Sequence, residues 1–143
     1  MSKIKTKTVS QLKNKLQKLV NKQVRLRDTD INGNGQCISC GKFISFAEMQ
    51  AGHYYSVGAY PAVRFDLFNI NGQCASCNTW KSGNLAEYRL GLIDKYGKTS
   101  IVDLDKRRKA KTLTGIALKS WLQSQIEIHE AMIKTMLEDK IEN

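Results

Sequence analysis

The chain has 143 residues, a net charge of +10 and four cysteines. That length suits one domain with appendages, and a structural metal would help a core of that size. No apolar run approaches the roughly 18 residues of a membrane span, and the basic start, Met-Ser-Lys-Ile-Lys-Thr-Lys, is not followed by an apolar signal core, so a cytosolic protein with reduced thiols is expected rather than a disulfide-bonded one.

Residues 8–27 predict an amphipathic helix, with Val9, Leu12, Leu16, Leu19 and Val20 at helical spacing and Lys13, Lys15, Lys18, Lys22, Arg25 and Arg27 mostly off that stripe. Positive charge is concentrated here. Residues 1–36 carry nine basic and two acidic side chains, against three and two in 37–83 and eleven and nine in 84–143. A basic segment of this kind suits a polyanion, nucleic acid above all, although it also suits a merely solvated face. Asp28 to Gln36 reads as a turn-rich linker. Its Asp28, Asp30, Asn32 and Asn34 have the spacing of a calcium loop, but Ser39 holds the twelfth position, where a bidentate glutamate belongs.

Residues 43–70 alternate enough to predict two short strands, with Gly58 to Pro61 in the loop between them. Cys74 to Cys77 should open a short helix through Trp80, broken at Ser82-Gly83-Asn84. Asn84 with Glu87 three later predicts a capping box for a helix from Leu85 to Tyr96, stopped by Gly97. Residues 100–111 predict a further helix or a basic turn. A long helix over Thr114 to Lys140, about 40 Å, carries Ile116, Leu118, Trp121, Leu122, Ile128, Met132, Met136 and Leu137 on an apolar side, with His129 at its surface or in an interface. Its length suggests a partner, and a homodimer is expected; packing against the N-terminal helix of the same chain is the alternative.

The chemistry concentrates between the first and last cysteine. Cys37-Ile-Ser-Cys40 and Cys74-Ala-Ser-Cys77 are two C-x-x-C knuckles, and four thiolates complete a tetrahedron with no open position. A structural zinc at Cys37, Cys40, Cys74 and Cys77 is therefore expected. The 33 residues between Cys40 and Cys74 exceed the spacing of a compact zinc ribbon. They must loop out and return as strand, turn and strand, with His53 inside. An imidazole that is neutral near physiological pH can accept a proton from water. The carboxamide of Asn78, directly after the second knuckle, offers a hard neutral oxygen to magnesium, and Asn69 could tie down the loop and orient His53. Singly, each of these three residues is as readily a packed histidine, a turn residue or a helix cap.

Together they resemble a family. A C-x-x-C, a histidine on a strand, then N-x-x-x-x-C-x-x-C-N with Lys81 soon after is similar to the HNH nucleases of the ββα-metal type, and closest to the zinc-bearing branch that includes the endonuclease VII group. More narrowly, Gln50-Ala-Gly-His53-Tyr, Arg64-Phe65, Asn69-Ile70, Gln73-Cys74, Cys77-Asn78, Lys81-Ser-Gly-Asn84 and Tyr88-Arg89 resemble the lambdoid-phage NinG family, also called Rap, over roughly residues 37–96. The resemblance implies an α+β fold: a small zinc-pinned ββα-metal core at 37–96, flanked by a basic N-terminal helix and linker at 1–36 and a helical region at 97–143. It implies an endonuclease in the host cytoplasm, encoded by a phage or prophage, that cuts Holliday junctions and D-loops. His53 takes the general-base position, Asn69 the loop-holding position and Asn78 the metal-binding position, for magnesium or manganese.

One departure stands out. The residue before the base is usually an acidic or histidine ligand, and here it is Gly52. Asp66, or less favourably Glu48, is expected to supply the missing carboxylate; alternatively His53 itself ligates the metal. Arg64, Lys81 and Arg89 are expected to clamp the phosphate. Lys13, Lys18, Arg25, Lys106, Arg107 and Arg108 are expected to hold the duplex arms of branched DNA. Two other readings explain the cysteines: a non-catalytic zinc-ribbon DNA-binding module, which the cysteines and the charge fit equally well, and a zinc-stabilised hub for protein partners.

Overall fold

A computed structural model of the chain describes residues 6–142; the basic residues 1–5, with Lys3 and Lys5, lie outside the described residues. Helix α1 (Val9–Arg27) begins at Thr8, whose hydroxyl accepts the Gln11 amide at 3.1 Å while Gln11 Oε1 accepts the Thr8 amide at 2.9 Å. Two otherwise orphaned N–H groups are thereby satisfied. The expected stripe turns inward: Leu12, Leu16, Val20 and Val24 form a core with Ile70, Leu122 and Ile126. Each such aliphatic side chain contributes about 1.5–3 kcal/mol on burial.

Leu122 and Ile126 belong to α4 (Gly115–Glu142), which lies along α1 in the same chain. His129 is buried in this seam and donates from Nδ1 to Gln23 Oε1. Lys140 reaches from the far end of α4 to the carbonyls of Thr29 and Asp30 at 3.1 and 3.2 Å.

The sheets are two separate antiparallel pairs. β1 (Asn34–Gln36) and β2 (Phe43–Ser45) make a hairpin around the first knuckle. The predicted linker thus contains a strand, which its Asn- and Gly-rich sequence conceals. β3 (Gln50–His53) pairs with β4 (Ile70–Gln73) in the register Gln50 with Gln73, Gly52 with Asn71 and His53 with Ile70. A 3-10 turn at Pro61–Val63 interrupts the long loop between them. After β4 the chain makes one wide π-helical turn, Ser76–Trp80, then α2 (Leu85–Tyr96) and α3 (Lys98–Arg107), separated by Gly97 at φ 87°. The class is α+β and mostly helical, as expected.

The capping box predicted at Asn84 and Glu87 does not form. Asn84 is left-handed at φ 45°, ψ 57°, whereas a capping side chain needs an extended backbone. Its amide instead turns back to Cys77 Sγ at 3.5 Å.

Arg27 and Asp28 tie the helical and strand parts together. Asp28 is almost fully buried, pairs with Arg27 and Lys95 at 2.7 Å each, and accepts the Gly72 amide at 2.8 Å. Arg27 also donates to the carbonyls of Leu67 and Ile70 and to Asn71 Oδ1.

Candidate metal and nuclease site

The four cysteine sulfurs lie within 4.8 Å of one another, and Cys40 Sγ is 3.8 Å from Cys74 Sγ. Zinc–sulfur bonds of about 2.3 Å in a tetrahedron set sulfurs about 3.8 Å apart, so the donor set fits the expected ion. Burial pushes the Cys77 thiol up to about 12, whereas at Cys37 it is outweighed by hydrogen bonds from the backbone of Cys40, Cys74 and Ser39, which hold that thiol at about 7. A cation is what would make four such close thiolates compatible. Asn84 Nδ2 and the Cys77 amide donate to the cluster's sulfurs from outside. On its other side, α2 comes so near the first knuckle that a Cβ on Gly91 would overlap the Ile38 carbonyl.

The cluster fixes the start of the turn that carries Asn78 and faces it toward β3. Asn78 Nδ2 donates to Gln50 Oε1 at 2.8 Å, which leaves Asn78 Oδ1 free to point elsewhere. It points at Gly52. A Cβ placed on Gly52 would lie 2.9 Å from Asn78 Oδ1 and would overlap Gln73 Oε1. The Gly52 carbonyl accepts the hydroxyl of the fully buried Tyr88 at 2.6 Å, which pins this stretch of β3 to α2.

His53 ends β3. Its Nε2 lies 2.8 Å from the Arg64 carbonyl. A carbonyl can only accept, so Nε2 carries the proton and Nδ1 is the bare nitrogen. Burial, joined by the nearby Arg64 charge, holds the imidazole below its usual value against that hydrogen bond, and the ring is neutral at pH 7. Strand alternation sends His53 off the face that carries Gln50 and Gly52; the ring shares its face with Ile70 across the pair, and the Asn78 amide lies on the Gln50 and Gly52 face.

Asn69 is fully buried and holds the β3–β4 loop closed. Its Oδ1 accepts the Tyr55 amide at 2.8 Å, and its Nδ2 donates to the Tyr55 and Val63 carbonyls at 3.0 and 3.1 Å. Asp66 is engaged elsewhere: both of its oxygens take the Arg107 guanidinium, at 2.7 and 3.2 Å, and one accepts the Phe68 amide. Glu48 is exposed.

The basic residues divide by type. Every predicted arginine is tied into the fold. Arg25 donates to the Phe46 carbonyl at 2.6 Å and lies over its ring. Arg64 donates to Gln17, and Arg89 pairs with Asp105 at 2.8 Å. Arg107 is held by Asp66, and Arg108 by the Asp105 carbonyl and Tyr55. Tyr55, whose hydroxyl bonds Asp105, is pushed up to about 12 by burial and by that carboxylate. Among the described residues Lys13, Lys18, Lys81 and Lys106 have no side-chain hydrogen bond or ion pair, and of these Lys18, Lys81 and Lys106 are exposed. Trp80, beside Lys81 at the end of the Asn78 turn, is 82% exposed. Sequence reading missed it, although an aromatic next to a lysine immediately after a knuckle was a visible signal. It gave no role to Gln50 and Gln73, although both stand in the motifs that carry the family resemblance; the strand register is what pairs them.

Residues 1–136 match the family model described as Bacteriophage Lambda NinG protein, and the chain belongs to that family. Protein ninG of Salmonella phage P22 is 40% identical over 114 residues, covering 78% of this chain and 54% of that protein. Protein ninG of Escherichia phage 933W is 44% identical and that of Escherichia phage lambda 43% identical, each over 89 residues, or 62% of this chain and 42% and 41% of those proteins. The chain thus spans about half the length of the curated relatives it matches. No solved structure matches it. Among the described residues, no helix is long and apolar enough to cross a membrane.

Proposed function

We propose that this NinG-family chain is a metal-dependent, structure-specific DNA endonuclease of the HNH, ββα-metal type, cutting branched recombination intermediates such as four-way junctions and D-loops in the bacterial cytoplasm. The observation that carries the reading is the approach of Asn78 Oδ1 to within 2.9 Å of the point where a side chain at Gly52 would begin, one residue from His53. Asn78, 25 positions after His53 in the sequence, thus reaches the strand neighbour of His53, on a frame that four thiols would rivet through zinc.

The roles follow from the side chains. Nδ1 of the neutral His53 accepts a proton from the attacking water, while the Arg64 carbonyl holds the ring's other N–H and fixes the tautomer. Asn69 keeps the loop, and with it the Arg64 carbonyl, in place. Asn78, oriented by Gln50, offers its oxygen to magnesium or manganese. When bound, that ion would neutralise charge on the scissile phosphate and on the leaving 3′ oxygen. Lys81 and the other lysines take backbone phosphates, and the exposed ring of Trp80 offers a stacking surface to bases unpaired at a branch. The two-fold pairing of cuts in a four-way junction belongs to the same proposal, with a homodimer formed through the outer side of α4, where Ile116 and Ile128 are exposed.

The test is a labelled four-way junction and a plain duplex of the same base composition, each incubated with the zinc-loaded protein and magnesium. The junction is expected to be cut and the duplex spared. Tight junction binding with no cutting in magnesium or manganese would establish the non-catalytic zinc module instead, the reading that the bare Gly52 favours.

A further inference from the structure

We propose that Gln73 supplies the cation ligand that Gly52 cannot, so that the working ion is held by two neutral carboxamide oxygens, Gln73 Oε1 and Asn78 Oδ1. This deepens the nuclease reading and rests on it. Gln73 is fully buried, and its amide orientation is fixed by its bonds: Nε2 donates at 2.8 Å to the Gly83 carbonyl, which can only accept, and at 2.8 Å to Ser39 Oγ. That leaves Oε1 as a buried acceptor with no partner, the other unpartnered buried side-chain atom among the described residues being a donor, Arg25 Nε. An orphaned buried acceptor costs about 1–3 kcal/mol, a cost that a ligated cation would remove.

Its direction is as informative as its isolation. Oε1 occupies the space into which a side chain at position 52 would grow: a Cβ there would lie 1.8 Å from Oε1 and 2.9 Å from Asn78 Oδ1, so both oxygens converge on the same side of Gly52. Gln73 stands across the strand pair from Gln50, which in turn orients Asn78. The glycine is therefore a requirement of the arrangement: any larger residue at 52 would displace the oxygen that replaces it. Among the described residues the four cysteines are the only cluster of three or more His, Cys, Asp or Glu ligands. Hard oxygen donors suit magnesium and manganese. Two neutral donors without a carboxylate bind such an ion weakly, and most of the countercharge must come from the phosphate of the DNA. Ion binding is accordingly coupled to DNA binding.

The experiment follows the backbone and side-chain amide signals of the 15N-labelled, zinc-loaded full chain during titration with manganese, alone and with a four-way junction. The Gln73 and Asn78 carboxamide signals are expected to broaden first, ahead of the Asp66, Phe68 and Arg107 signals, and at a manganese concentration at least tenfold lower when the junction is present. Gly52→Ala, which removes no ligand, should weaken manganese binding at least tenfold, and Gln73→Met should do the same. If either variant fails to fold by circular dichroism, the wild-type titration decides alone. Broadening centred on Asp66, or none with or without the junction, overturns the proposal. Cutting is assayed on the same samples. Cutting with broadening elsewhere sinks the Gln73 ligand and keeps the nuclease; broadening at Gln73 and Asn78 without cutting keeps the ligand and sinks the nuclease.

Discussion

The α1–α4 pair and the β3–β4 hairpin with its Asn78 turn touch one another, yet different forces hold them. The helices are long, 19 and 28 residues, and meet through an aliphatic seam of Leu12, Leu16, Val20, Leu122 and Ile126. The strands are four residues each, too short to stand alone. They rely on the thiol cluster at their base, on Asn69 closing the loop, and on Tyr88 and Asp28 bonding the backbone from either side. Apolar burial tolerates small adjustments of position. A polar clamp does not, and the Asn78 carboxamide, held by Gln50, is built on the second kind of support.

Removing the metal should separate the two regions most sharply. Structural zinc contributes on the order of 10 kcal/mol in small domains. Chelation, or Cys74→Ser, is therefore expected to abolish the dispersed amide signals of residues 37–84 while much of the α1–α4 helicity survives in circular dichroism. An unchanged thermal transition in Cys74→Ser would contradict the structural role of the cluster. The converse change, Leu16→Ala in the seam, should cost about 3 kcal/mol in urea unfolding and leave zinc content unchanged.

Asn69→Ala breaks the loop clamp and strands the Tyr55 amide and the Tyr55 carbonyl. It should cost about 2 kcal/mol and, unlike Leu16→Ala, lower cleavage more than stability, because the Arg64 carbonyl that holds His53 moves with the loop. Equal loss of both would mean that the clamp is only structural.

The smallest effect joins the two regions. Burial raises the Asp28 carboxyl, but the hydrogen bonds and charges of Arg27 and Lys95 outweigh it and hold it below its ordinary 3.8. A depressed native value means that this stabilisation is complete above the unfolded carboxylate's value and disappears as pH falls through the native one. Melting temperature should therefore drop more steeply below pH 4 in the wild type than in Asp28→Asn, and the variant should melt lower at pH 6. Parallel curves would show that the pair contributes nothing net.

Legibility in the sequence follows the same division. Features set by local spacing could be read directly: the α1 stripe, the span of α2 from Leu85 to its Gly97 stop, the two knuckles and the turn after Cys77. Features set by partners distant in the chain could not. Arg25, Arg64, Arg89 and Arg107 were read as DNA contacts because charge is visible in a sequence; that each also bonds a carbonyl, carboxamide or carboxylate 16 to 47 residues away is not. Asn84 fitted a capping pattern until a neighbouring sulfur claimed its amide. His53, Asn69 and Asn78 were found by resemblance, whereas Gln73 became apparent only once Gly52 was seen to be filled from across the sheet.

Single-turnover cleavage of a four-way junction by the wild type, His53→Ala and Asn78→Ala, with junction binding measured in parallel, tests the central claim most directly. Without divalent metal both variants are expected to bind within a few-fold of the wild type, and in magnesium both are expected to cut at least about 100-fold more slowly, the scale of a lost general base. Cutting by His53→Ala within tenfold of the wild type, at undiminished binding, would contradict the assignment of that strand end as the place where the phosphodiester is broken.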